Sequence, residues 1–210
     1  MSVEPPTPEP TEAQVQKLRA QLWARAHHEA ARAVIGSLLG CQVTRIEVWP
    51  GPPPDGRTEI VGLDGAASGA TNFGMVRRLA YLLAGPMAAR IAEGGSASIM
   101  NEPASVAATV LLEGVRDPSA VDPATDLGTA AILIHDHFGP EDETGATAAV
   151  DHLPMSVESM VRGQWHAIQV VALNLLRHGS LTEEQLQSLW SAVLPAGVPN
   201  EILELLPPPD

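Results

Sequence analysis

The sequence predicts a mostly helical α+β domain with one small β-sheet. Three observations carry that expectation. Apolar residues recur at helical spacing through most of the chain, and two short alternating stretches sit together in its N-terminal third. With 45% of 210 residues hydrophobic, there is enough apolar material for one substantial core.

Residues 1–10 are rich in Pro and Glu and read as a disordered lead-in, residues 11–194 as a single domain, and 195–210, ending in PPPD, as a tail. Thr11 and Gln14 form a capping-box pattern, and Val15, Leu18 and Leu22 continue it at helical spacing. A helix is therefore expected from Thr11 to about Leu39, with Gly40 placed to stop it. Next, "CQVTRIEVW" and "RTEIVGL" read as two short strands joined by the proline-rich "PGPPPDG".

A polar loop, "AASGATN" at 66–72, leads into "FGMVRRLAYLLAGPMAARIAEGG". Met75, Leu79, Leu82 and Leu83 mark a buried helical face there, and Pro86 predicts a bend before a further turn or two. Residues 95–123 read as a surface excursion holding a short helix in "ASVAATVLLEG". "ATDLGTAAILIHDHFG" predicts a helix capped by Thr125 and ended by Gly139. After an acidic loop, "SVESMVRGQWHAIQVVALNLLRHG" reads as one apolar helix and "SLTEEQLQSLWSAVL" as a last, separately capped one.

Charge and composition exclude several function classes. A formal net charge of -13, from 25 acidic and 12 basic residues, argues against partners bound through phosphates, so no nucleic acid and no anionic membrane surface is expected. Lys17 is the only lysine and no phosphate-cradling loop precedes it, which excludes a self-contained ATPase of that kind. A lone Cys41 can form neither an internal disulfide nor a thiolate zinc site. The opening "MSVEPPTPEPTEAQ" lacks the basic and apolar regions of a signal peptide, and no apolar run nears the roughly 18 residues of a membrane span, so a cytoplasmic location is expected.

The chemistry centres on "RAHHEAARAVIGSLLG", residues 25–40. In an HExxH motif two imidazoles four residues apart grip one metal from a helix face, while the glutamate between them serves as general base toward metal-bound water. His28 and Glu29 stand at the first two of those places, but the second histidine position holds Arg32, which has no lone pair to offer a cation. His27 points roughly 100 degrees away on the same helix and is expected to be a flanking residue. His135 and His137 suit a solvated helix C-terminus, and His152, His166 and His178 carry no spacing signal.

Four stretches in order resemble the peptidase domain of the FtsH-type AAA zinc proteases, over roughly residues 20–190: "HHEAARAVIGSLLGCQVTRIEVWP", "LAYLLAGPMAARIAEGG" with Gly85, Ala88 and Ala89 in matching places, "TDLGTAAILIHDHFG", and "HAIQVVALNLLRHGSLTEEQLQSL". The resemblance implies a standalone domain of that fold without the AAA module, with His28 as first zinc ligand, Glu29 as general base and Asp126 as carboxylate ligand. Because the segment before Asp126 is longer than in the family, Asp117 and Asp122 remain alternative counterparts. Arg32 departs from the pattern at the second ligand, and Arg90 replaces the family's glutamate after the paired alanines.

Two functions follow from the resemblance. One is a zinc metallopeptidase cleaving peptides or unfolded protein, degenerate at its metal site. The other is a non-catalytic relative that binds a peptide or a protein partner, with no cofactor and with homo-oligomerisation possible. In that second case Arg32 is expected to take the place of the cation, pairing with Asp126 and Glu29.

Overall fold

The first helix begins where its capping chemistry dictates. In the computed structural model, which describes residues 11–51, 55–63, 72–94, 103–139 and 141–193, the Thr11 side chain accepts from the Gln14 amide, and the Gln14 side chain accepts from the Thr11 amide at 2.7 Å. Helix α1 then runs unbroken over Glu12–Leu38 and ends at Gly40, whose φ of 78° suits only a residue without a side chain. Alanine favours the helix and lets neighbours approach closely: Ala26, Ala30, Ala31 and Ala33 are fully buried beside Val34 and Ile35.

Strands β1 (Gln42–Trp49) and β2 (Asp55–Val61) form the expected antiparallel pair, with an irregularity between Val43 and Arg45. A third strand, β3 (Ser180–Thr182), pairs antiparallel with β1 at Arg45–Glu47 and gives the order β2-β1-β3. The sequence predicts Ser180–Thr182 as part of the last, separately capped helical stretch. Three residues are too few to show a period, and their strand character comes from β1, which is distant in sequence.

Helix α2 (Asn72–Ala92) continues through Pro86, so the expected bend does not divide it. Helix α3 (Pro103–Arg116) is followed by an exposed 3-10 turn at Pro118–Ala120, and α4 (Asp126–Phe138) carries the expected Thr125 cap, with the Gly128 amide donating to its hydroxyl at 3.0 Å. The expected acidic loop is instead the opening of α5 (Glu143–Gly163), capped by Asp142. Its buried Ala146, Val150, Leu153, Val157 and Val161 follow helical spacing, obscured in the sequence by Gly145 and Pro154. The single helix expected across 156–179 is accordingly two, α5 and α6 (Trp165–His178), parted at Gln164. Helix α7 (Glu183–Val193) closes the described chain.

The fold is thus mostly helical with a three-stranded antiparallel sheet. Helix α1 packs chiefly on α2 and α6 and also covers both long strands. Helices α3, α4 and α5 gather on each other and on α2. Among the described residues no helix is long and apolar enough to cross a membrane. The expected lead-in at 1–10 and tail at 195–210 lie outside the described residues, as does the loop at 66–72 except for its last residue.

Candidate functional site

Three of the four motif positions meet between the two groups of helices, and the fourth lies directly beneath. A cleft of about 480 Å3 is lined by Arg25, His28 and Arg32 from α1, Pro86 from α2, Val110 from α3, and Ala124 to Leu127 at the start of α4. Helical spacing puts Arg25, His28 and Arg32 on one face, and the Thr125 cap sets Asp126 opposite them. Of the three acids that were alternatives for the carboxylate position, only Asp126 reaches this cleft. Asp117 accepts from the Ser119 amide and hydroxyl at 3.0 and 2.6 Å, and Asp122 accepts from the Ala124 amide at 2.9 Å.

His28 Nε2 lies 2.9 Å from Asp126 Oδ2. Both atoms are buried. The close fit of the imidazole depends on Gly85 of α2, because a Cβ there would fall 2.6 Å from His28 Nε2. Glu29 is fully buried and committed elsewhere: Arg25 reaches its Oε1 at 3.0 Å, and the Thr58 hydroxyl donates to its Oε2 at 2.7 Å. Arg25 in turn pairs with Asp55 at 3.0 Å and donates to the Gly56 carbonyl at 2.7 Å.

Arg32 stands among the carboxylates without closing a short bond to either. Its Nη1 is 3.7 Å from Asp126 Oδ1 and 4.0 Å from Glu29 Oε2, and its guanidinium carbon sits 4.5 Å over the Tyr81 ring. Burial works against the charge of Arg32, but Tyr81, Asp126 and Glu29 together outweigh it and hold the group more firmly protonated than usual. Burial likewise opposes ionisation of Asp126, and its contacts with His28 and Arg32 overcome that and keep its carboxyl below the ordinary range. Burial pushes the Tyr81 phenol up to about 12, so it is neutral at physiological pH.

These residues do not fit a catalytic zinc held by three protein ligands. His28 and Asp126 could offer two donors, but the third place on the helix face belongs to a permanently protonated guanidinium. Glu29, the implied general base, has its two oxygens directed at Arg25 and Thr58. Among the described residues no group of three or more His, Cys, Asp and Glu side chains is placed to hold a metal ion.

The other histidines divide differently from the sequence expectation. His27 is fully buried, with Nδ1 2.8 Å from the Trp23 carbonyl and its ring between Trp23 and Trp165 at centroid distances of 4.4 and 5.3 Å. It is a core residue rather than a flank, and burial lowers its pKa. His135 is half-buried, not solvated, because its Nδ1 meets the Val115 carbonyl at 2.8 Å; His137 is exposed as expected.

Sequence reasoning missed Arg25, Thr58 and Tyr81. Arg25 had a usable signal, since it precedes Glu29 by four residues on one helix. Thr58 and Tyr81 come from β2 and α2 and carry no local signal. No family model matches this chain, and no curated protein matches it either.

Proposed function

We propose that this chain is a non-catalytic, FtsH-peptidase-like domain that binds a peptide or protein partner in the cleft between α1 and α4. The observation that carries this reading is Arg32: a buried guanidinium, kept protonated, occupies the helix-face position where the HExxH pattern needs its second metal ligand. The commitment of Glu29 to Arg25 and Thr58 supports it, since a general base needs a carboxylate free to take a proton. In this reading no zinc is required and Arg32 supplies the positive charge that balances Asp126 and Glu29. The net charge of -13 and the lone cysteine fit a cytoplasmic protein with peptide rather than nucleic-acid partners.

A second reading, a zinc metallopeptidase of the same family, draws on the closeness of His28 and Asp126, two possible metal donors that meet in the cleft at 2.9 Å. Elemental analysis of the purified protein separates the two. The non-catalytic reading expects substoichiometric zinc and no hydrolysis of casein in the wild type, and zinc retention in Arg32→His. One tightly held zinc per wild-type chain, with casein hydrolysis abolished by Glu29→Gln, would overturn it in favour of the peptidase.

A further inference from the structure

A second pocket, about 230 Å3 in volume, lies among α3, α4 and α5 and shares no lining residue with the cleft. Part of its wall is apolar: Ala146 and Val150 of α5 are buried, and Leu112 and Val115 of α3 are half-buried. Three exposed polar residues line it as well, Arg116 at the end of α3 and Glu143 and Thr147 on α5. Among the described residues no hydrogen bond or ion pair engages any of these three side chains.

His135 of α4 adds an acceptor of fixed identity. The Val115 carbonyl, 2.8 Å from Nδ1, can only accept, so Nδ1 carries the proton and Nε2 of the neutral ring keeps its lone pair. That Nε2 has no partner among the described residues.

Local roles account for part of this arrangement. His135 satisfies a carbonyl in the last turn of α3, and Glu143 sits in the first turn of α5, where a carboxylate suits the helix dipole. Neither role explains a cation and an anion that line one pocket beside an apolar wall without pairing. That combination sets the class of ligand. A simple anion would suit Arg116 but meet Glu143 and the Nε2 lone pair, and a simple amine would suit those two but meet Arg116. A molecule carrying both charges on an apolar body satisfies every group. The volume lies below the roughly 300 to 1,000 Å3 typical of sites for drug-sized molecules, so the ligand is small.

We propose that this pocket binds a free α-amino acid with an aliphatic side chain. Arg116 donates to its carboxylate, Glu143 and His135 Nε2 accept from its ammonium group, and its side chain lies against Leu112, Val115, Ala146 and Val150. The site is separate from the α1–α4 cleft and does not depend on whether that cleft is catalytic.

The test is isothermal titration calorimetry of the full chain with L-leucine, with 3-methylbutylamine, which lacks the carboxylate, and with 4-methylpentanoate, which lacks the ammonium. Each truncated ligand is expected to bind at least about tenfold more weakly than leucine, the scale of one hydrogen bond between charged groups. Glycine, which has both charges and no apolar body, should bind more weakly still. Arg116→Gln should weaken leucine about tenfold without weakening the amine, and Glu143→Gln should weaken leucine similarly without weakening 4-methylpentanoate. Both substituted residues are exposed, so neither variant is expected to unfold the protein, and a general loss of structure would weaken all ligands alike. No binding of leucine at millimolar concentration, equal binding of leucine and either truncated ligand, glycine binding as tightly as leucine, or leucine affinity unchanged in both variants would each overturn the proposal.

Discussion

His27 and His28 are neighbours on α1, yet they belong to different physical regimes. His27 is sealed between two indole rings with one nitrogen bonded to the Trp23 carbonyl, where burial favours the neutral ring. His28 sits across the helix at the edge of a cleft, among two arginines and two carboxylates. One face of α1 is held by shape, the other by charge. Shape is unforgiving, because a hole in a packed interior stays open, whereas charges near a cleft can re-pair or meet water.

The sharpest way to break this comparison is to truncate each histidine in turn. His27→Ala leaves a void between Trp23 and Trp165 and is expected to cost about 3 kcal/mol in urea unfolding. His28→Ala is expected to cost less, about 1 to 2 kcal/mol although its side chain is only 12% exposed, because the space it leaves opens onto the cleft and Arg32 can close on the freed Asp126. Equal losses would show that the cleft is part of the core rather than separate from it.

A middle-sized effect is expected at Glu29, the point where the two regimes overlap, since it is charged and yet fully buried. Removing one partner of a buried pair ordinarily costs several kcal/mol, but Arg25 is 28% exposed and keeps Asp55, and Thr58 keeps the Glu29 backbone carbonyl at 3.2 Å. Glu29→Ala is therefore expected to cost about 2 kcal/mol by the same unfolding measurement. A loss as large as that of His27→Ala would mean that the charged face is as rigid as the aromatic one.

What could be read from the sequence follows the range of the forces involved. The α1 cap, the β1–β2 pair and the Thr125 cap are set by residues within a few positions of each other, and each lies where local patterning places it. Strand β3 and the packing of α5 are set by partners far along the chain, and local patterning shows neither. The site divides in the same way. His28, Glu29 and Arg32 share one motif, and Asp126 came from the order of resembling segments. Their supports, Thr58 on β2 and Tyr81 and Gly85 on α2, depend on how three elements pack, and only Gly85 was noticed, without its role against His28.

The smallest effect is expected at Tyr81, the aromatic residue of the charged face. It differs from the two tryptophans around His27 in that it supports a cation and can itself ionise. Its hydroxyl lies 3.5 Å from the Thr58 carbonyl, a long contact, so Tyr81→Phe is expected to change stability at neutral pH by less than about 1 kcal/mol. Its pH signature is more telling. The folded phenol titrates near 12 against 10.0 for an unperturbed tyrosine, so the unfolded chain loses this proton first. The stabilisation linked to the neutral phenol is thus whole below pH 10 and drains away as pH rises toward 12. Tyr81→Phe should remove that part of the alkaline decline. Because Tyr81 is the only tyrosine in the chain, tyrosinate absorbance reports on it directly. The native protein should titrate near 12 and the urea-unfolded chain near 10; a native midpoint near 10 would mean that the ring beneath Arg32 is open to water, and that the charged face lacks the aromatic floor on which its arginine rests.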